Sequence, residues 1–235
     1  MKLIKVKNKK ELGERAGAIV AEAVKAMPYI VLGLPTGSSP MPVYEDLILR
    51  YQKGDIDFSR VSTINLDEYI GLPATHTQSY HYYMDETFFS HVNTDPARTH
   101  LPDGAAEDPE AECKKYDELI DKLSGVDLQL LGIGYNGHIG FNEPSDSFSK
   151  RTSVVRLTED TVKANSRFFD DAAGVPEYAI SMGIRDIMLA RKIILVAGEE
   201  KKDIVDIAVN GDITPRVPAS ALQLHRDATV ILIQG

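Results

Sequence analysis

A glycine-framed segment near the middle of the chain carries the residues best suited to proton transfer. It spans 134–144, reads GYNGHIGFNEP, and follows an apolar run. Histidine is the side chain whose charge changes nearest to neutral pH, so His138 is a candidate acid or base. Glu143 is placed to orient that ring or to share its proton. A polar surface histidine is the alternative, but a tightly folded glycine loop favours catalysis.

A second segment, TGSSP, has the composition of an anion-binding loop. Gly37 lets backbone N–H groups face a ligand, and the hydroxyls of Thr36, Ser38 and Ser39 can donate hydrogen bonds. A helix is predicted to open at Pro40, and helix N-termini attract phosphate groups. The alternative is that Ser39 simply caps this helix. The segment lacks the Gly-Lys-Ser/Thr ending of a P-loop.

Two adjacent carboxylates, Asp67 and Glu68, end another apolar run. Neighbouring strand residues point to opposite sides, so only one of the two is expected to face a pocket. A buried carboxylate with a raised pKa can remove a proton from the carbon beside a carbonyl or imine. The alternative is that Asp67 caps a helix.

Two basic residues are candidates to hold an anion. Lys201 begins a predicted helix, where its charge opposes the helix dipole unless an anion is bound. Arg167 could bind the same anion through two parallel hydrogen bonds. A solvated lysine is the alternative for Lys201.

The elements that must position these residues alternate between strand and helix patterns. Apolar, β-rich runs occupy 29–34, 61–66, 128–133, 192–197 and 228–233, and helical patterns occupy 11–27, 41–53, 79–91, 109–123 and 201–209. The alternation predicts an α/β fold, a Rossmann-like, doubly wound, mostly parallel sheet with helices on both faces. Ligands bind beyond the carboxyl ends of such strands, so the candidate segments should converge there.

The stretch 145–183 departs from this alternation. It begins polar, contains a predicted helix over 159–171, and breaks at a glycine–proline pair. A long excursion between core strands is typical of a lid or binding loop, and an extra surface layer of helix is the alternative. Because no linker or repeat divides the chain, residues 1–235 are predicted to form one domain with this lid.

Composition excludes several classes of function. The formal net charge of −9 over 235 residues argues against nucleic-acid binding, which needs a concentrated basic face. No run approaches the ~20 apolar residues of a membrane span, and no signal peptide is recognisable, so a cytoplasmic location is expected. The single Cys113 and scattered histidines show no metal-ligand spacing, so neither a metal nor another cofactor is expected.

The motifs, in order, resemble those of the glucosamine-6-phosphate deaminase family over nearly the whole chain. They are LPTGSSP at 34–40, NLDEY at 65–69, SY at 79–80, LGIG at 131–134, GHIGFNEP at 137–144, ANSRFF at 164–169, SMG at 181–183 and PASALQLH at 218–225. The FNEP ending separates this family from the 6-phosphogluconolactonases, which share the glycine–histidine frame.

The resemblance implies an enzyme that converts glucosamine 6-phosphate and water to fructose 6-phosphate and ammonia, without a cofactor. It implies that Asp67 moves the proton from C2 to C1, and that His138 with Glu143 assists ring opening. The loop from Thr36 to Ser39, with Arg167 and Lys201, would bind the phosphate, and the stretch 145–183 would act as a lid.

Asn136 departs from the pattern of the larger allosteric members, which carry Asp there. An amide can orient the His138 ring but cannot stabilise imidazolium as a charge, so Glu143 would carry more of that work. The basic residues of the allosteric branch are replaced by Ser153 and Val155, which indicates the short, non-allosteric bacterial branch and a monomer. The alternatives are a 6-phosphogluconolactonase and a non-enzymatic sugar-phosphate sensor.

Overall fold

The computed structural model describes residues 1–158, 162 and 175–234. Its strands, in chain order, are β1 Lys2–Val6, β2 Val31–Leu34, β3 Ser62–Asn65, β4 Asp67–Tyr69, β5 Thr99–His100, β6 Leu128–Leu131, β7 Ser153–Arg156, β8 Tyr178–Ser181, β9 Lys192–Ala197 and β10 Ala228–Ile233. Seven of them form one parallel sheet in the order β1-β10-β9-β6-β2-β3-β5. The predicted parallel α/β sheet is confirmed.

The described helices connect these strands. They are α1 Lys9–Ala26, α2 Met41–Gln52, α3 Tyr80–Thr87, α4 Pro109–Lys122, α5 Ile184–Met188 and α6 Lys202–Asn210, with short 3-10 turns at Glu199–Lys201 and Pro218–Leu224 among others. Polar caps set the helix starts: the Asn8 side chain accepts a hydrogen bond from the Glu11 N–H at 3.0 Å. Asp108 caps α4 in the same way, ahead of a proline in the first turn.

Helices cover both faces of the sheet, because the apolar side chains of its buried strands point alternately to one face and to the other. In β9, Ile193 and Leu195 belong to one core cluster, while Ile194 and Val196 belong to the other. The first cluster includes residues of α4, α5 and α6, and the second includes residues of α1, α2 and α3. This two-sided covering is the doubly wound arrangement that the continuous apolar runs predicted.

A second sheet, which the sequence analysis did not predict, joins β4, β8 and β7 in antiparallel order. Asp67 pairs with Ser181, and Ser153 pairs with the same serine from the other side. Asp67 is therefore a strand residue and does not cap a helix. Of the two described ends of the stretch 145–183, β8 pairs with the strand that carries Asp67, and β7 pairs with β8 on its other side. The predicted helix 159–171 lies, except for residue 162, outside the described residues.

No helix within the described ranges combines the length and the apolar character that crossing a membrane requires.

Candidate active site

The candidate segments converge on one cavity of about 340 Å³ beyond the carboxyl ends of β2, β3, β6 and β9. Seven of the residues singled out from the sequence line it: Thr36, Gly37, Ser38, Ser39, Asp67, His138 and Lys201. Asn136 and Glu143 do not line it, but both contact the His138 ring. Arg167 lies outside the described residues.

The TGSSP loop reaches the cavity just before α2. Helix α2 has Pro40 at its N-cap and receives no side-chain capping hydrogen bond, so Ser39 does not cap it. The Tyr83 hydroxyl donates a hydrogen bond to the Gly37 carbonyl oxygen at 2.7 Å and anchors the loop from α3. Hydroxyls, backbone N–H groups and a helix N-terminus therefore meet on one side of the cavity, which is the composition of an anion site.

Asp67 lies at the floor of the cavity and is almost completely buried, with 6% of its surface exposed. Burial raises its pKa to about 8, the like charge of Glu68 adds to that rise, and a hydrogen bond from the Phe141 backbone opposes it. Gly140 approaches so closely that an added Cβ would lie 3.2 Å from the Asp67 Oδ2 atom. A carboxyl group of this kind exchanges a proton near neutral pH.

Glu68 points the other way, as alternation along a strand requires. Its Oε1 atom accepts hydrogen bonds from the backbone N–H groups of Tyr69 and Tyr80, at 2.8 and 2.9 Å. Its Oε2 atom accepts one from the His81 backbone N–H and contacts the His81 ring, both at 3.0 Å. Glu68 thus ties β4 to the start of α3, and only Asp67 faces the cavity.

His138, Asn136 and Glu143 form a chain of contacts. The His138 Nδ1 atom lies 2.8 Å from the Asn136 Oδ1 atom, and the Asn136 amide nitrogen donates to the Glu143 carboxylate at 2.7 Å. The His138 Nδ1 atom also lies 3.5 Å from the Glu143 Oε2 atom. Gly134 makes room for the ring, since an added Cβ there would lie 2.1 Å from its Cε1 atom.

Lys201 faces the cavity from the 3-10 turn after β9. Burial lowers the pKa of its ammonium group to about 8, and Glu200 opposes that effect. The ammonium nitrogen lies 2.9 Å from the centroid of the Tyr135 ring. The structure therefore brings a buried cation, rather than a solvated one, to the site.

Tyr80 and Tyr135 also line the cavity, although the sequence assigned neither a role in the site and Tyr80 appeared only within the SY motif. The Tyr80 ring stacks on Phe141 with centroids 6.0 Å apart, and its hydroxyl lies 3.2 Å from that of Tyr69. The tyrosine-rich start of α3 is equally typical of packing, and Tyr135 stands in a loop without periodicity. Only the position of these residues beside candidate segments could have indicated them.

Gly132, Gly134 and Gly137 have the spacing of a dinucleotide-binding fingerprint. That fingerprint works at a turn that opens a helix. Here the chain continues from β6 to β7 without a helix, so the spacing does not identify a dinucleotide site. Among the described residues, no group of three or more His, Cys, Asp or Glu side chains could hold a metal ion.

The sequence matches one protein family over most of its length, and the two similar sequences named here share one activity. The family described as Glucosamine-6-phosphate isomerases/6-phosphogluconolactonase matches residues 7–231. A glucosamine-6-phosphate deaminase of Lachnoclostridium phytofermentans is 54% identical over 98% of both chains. One of Halothermothrix orenii is 51% identical over 99% of this chain and 97% of the relative.

Solved structures show the same fold. A monomeric glucosamine-6-phosphate deaminase superposes with a TM-score of 0.96 at 44% identity, over 100% of this chain and 98% of the other. A 6-phosphogluconolactonase of Thermotoga maritima superposes with a TM-score of 0.76 at 17% identity, over 99% and 98%. The second likeness concerns the fold alone.

Proposed function

The chain belongs to the family of glucosamine-6-phosphate isomerases and 6-phosphogluconolactonases, and we propose that it converts glucosamine 6-phosphate and water to fructose 6-phosphate and ammonia. The observation that carries the proposal is Asp67, a buried carboxyl group with a pKa of about 8, in one cavity with His138 and an anion-binding loop. Relatives named as deaminases at about half identity support the choice of this reaction within the family.

The phosphate of the substrate is assigned to the side of the cavity formed by the Thr36–Ser39 loop and Lys201. The loop offers hydroxyls and N–H groups at the start of α2, and Lys201 offers a positive charge with little hydration. Arg167 is proposed as a further phosphate ligand. Fixing the phosphate at this end places the sugar carbons over the cavity floor, where proximity to Asp67 lowers the barrier.

Ring opening is assigned to His138. Because the Asn136 amide nitrogen donates to Glu143, its Oδ1 atom is the acceptor for His138, so the Nδ1 atom carries the proton. The Nε2 atom then has a free lone pair and takes the proton of the anomeric hydroxyl. The C1–O5 bond breaks as the C1 carbonyl forms, and O5 receives a proton.

Isomerisation and deamination follow from Asp67. Its carboxylate removes the C2 proton, the electron pair forms a C1–C2 double bond, and the C1 oxygen takes a proton. Return of the proton to C1 converts this enolamine to an iminium at C2. Water adds to C2 and ammonia leaves, which gives the ketose. A base with a pKa near the working pH suits both proton transfers, because it must accept and then donate.

The chain is further proposed to act as a single-domain monomer with the stretch 145–183 as its lid. The monomeric relative with a TM-score of 0.96 supports the first part. The pairing of β8 with the strand of Asp67, and of β7 with β8, supports the second, because a movement of the stretch would change the position of Asp67. A light-scattering mass near 25.9 kDa is expected. A cytoplasmic location stays a prediction.

The test is release of ammonia from glucosamine 6-phosphate by wild type and by Asp67→Asn. The variant should lose about 10²–10⁴-fold in kcat, because the amide cannot accept the C2 proton. Asp212→Asn, which neutralises an exposed aspartate, is the matched control and should match wild type. Equal ammonia release from wild type and Asp67→Asn refutes the role of Asp67. Lactone hydrolysis without ammonia would indicate a lactonase, and substrate binding without turnover a sensor.

A further inference from the structure

Tyr135 stands at the rim of the cavity with 72% of its surface exposed. The Lys201 ammonium nitrogen lies over the ring, 2.9 Å from its centroid. The π face of an aromatic ring carries negative electrostatic potential and attracts a cation placed over it.

Lys201 needs such a partner because its ammonium group is largely removed from water. The residue is 8% exposed, and burial lowers its pKa to about 8. The neighbouring Glu200 carboxylate folds back over the chain, where a Cβ added to Gly198 would lie 2.3 Å from its Oε2 atom. The Tyr135 ring therefore covers one side of the ammonium group, and no carboxylate of the described residues forms an ion pair with it.

We propose that Tyr135 is a positioning residue for the anion site, whose ring holds the Lys201 ammonium group in the cavity that the Thr36–Ser39 loop also lines. A carboxylate in its place would bind the ammonium group and compete with the phosphate. A ring attracts the cation without neutralising its charge, and it covers one side of the group only. The remaining N–H donors of Lys201 are left for the incoming anion.

This inference rests on the proposed function only in taking the anion to be a sugar phosphate. The Tyr135–Lys201 contact lies at the phosphate end and not at the reacting carbons. It therefore strengthens binding of substrate and transition state alike, and its loss raises KM while kcat stays nearly constant.

The experiment measures two quantities in wild type and four variants: kinetics with glucosamine 6-phosphate, and the Kd of inorganic phosphate by titration calorimetry. Tyr135→Ala and Tyr135→Leu remove the ring, the second keeping much of its bulk, and Tyr135→Phe keeps the ring. Tyr29→Ala is the matched control, because it removes another exposed tyrosine that pairs with Arg60 away from the cavity, at 5.4 Å.

We expect both KM and the phosphate Kd to rise roughly 5- to 30-fold in Tyr135→Ala and Tyr135→Leu, with kcat within about twofold. Tyr135→Phe restores wild-type values, and Tyr29→Ala does not change them. Wild-type KM and Kd in Tyr135→Ala, or in Tyr135→Leu, overturn the inference. If wild type releases no ammonia but phosphate binding still weakens without the ring, the proposed function fails and the inference stands.

Discussion

The cavity around Asp67 and a cluster around Arg151 each contain a buried aspartate, Asp67 and Asp186, but the charges around these two carboxyl groups are opposite in sign. In the Arg151 cluster, the guanidinium group lies 3.2 Å from Asp117, 2.9 Å from Asp121 and 3.6 Å from Asp186. At Asp67, the charge acting on the carboxyl group is the like charge of Glu68. The first region surrounds a cation with anions, whereas in the second no positive charge of the described residues offsets the burial of the acid.

The difference shows which region serves folding and which serves chemistry. The Arg151 cluster lies at the start of β7, and it ties the stretch after residue 145 to α4 and α5. Burial raises the pKa of Asp186 there to about 6, and the opposite charge of Arg151 counters that rise. In the cavity, burial outweighs the opposing effects of the Phe141 backbone and Glu200 and moves the pKa values of Asp67 and Lys201 to about 8, which costs stability but prepares both groups for a substrate.

The largest expected effect that tests this contrast is a gain in stability when Asp67 is neutralised. The folded-state pKa of about 8 lies above the ordinary value of 3.8. Stability from the protonated carboxyl group is thus complete below pH 3.8 and is lost progressively as the pH rises to about 8. Asp67→Asn does not titrate, so it should be more stable than wild type, by an amount on the order of several kcal/mol at pH 8.

The measurement is the thermal unfolding midpoint at pH 5, 6, 7, 8 and 9. The gap between Asp67→Asn and wild type should widen up to pH 8 and then level off. Asp212→Asn, which makes the same substitution at an exposed position, is the control. A variant less stable than wild type at pH 8 would show that the cavity compensates the charge of Asp67 after all.

The next effect is a loss of stability when the cation of the other region is removed. Arg151→Met leaves Asp117 and the buried Asp186 without their partner, so we expect a loss of about 2–3 kcal/mol in the free energy of unfolding. Arg156→Met is the matched control, because Arg156 pairs with Glu177 on the surface at 3.6 Å, and should cost below about 1 kcal/mol. Urea unfolding curves measure both. If both variants lost the same free energy of unfolding, the Arg151 cluster would contribute no more to stability than a surface ion pair.

The sequence predicted the residues of the cavity better than the strand that holds its base. Thr36, His138 and Lys201 follow apolar runs, and the carboxyl ends of parallel strands meet at one edge, so their convergence could be deduced. The sheet β4-β8-β7 could not be deduced from the sequence. Its strands have only three or four residues, and Asp67 pairs with Ser181, which lies 114 positions later in the chain. Tyr135 escaped because nothing local marks a loop aromatic as the neighbour of a distant lysine.

The smallest expected effect concerns Asn136, which lies between His138 and Glu143. Asn136→Asp adds a carboxylate next to the ring, which favours its protonated form and removes the free lone pair that ring opening needs. The acidic limb of the profile of kcat/KM against pH should therefore move to higher pH, by roughly one unit. Asn8→Asp is the control: it adds the same charge at the cap of α1, a position where aspartate caps equally well. The substrate is the same in every assay, so its own ionisations contribute equally to all the profiles and cannot cause a difference between the variants. An unchanged acidic limb in Asn136→Asp would show that Asn136 does not influence the protonation of His138. Glu143 would then be the only one of the two that acts on the ring.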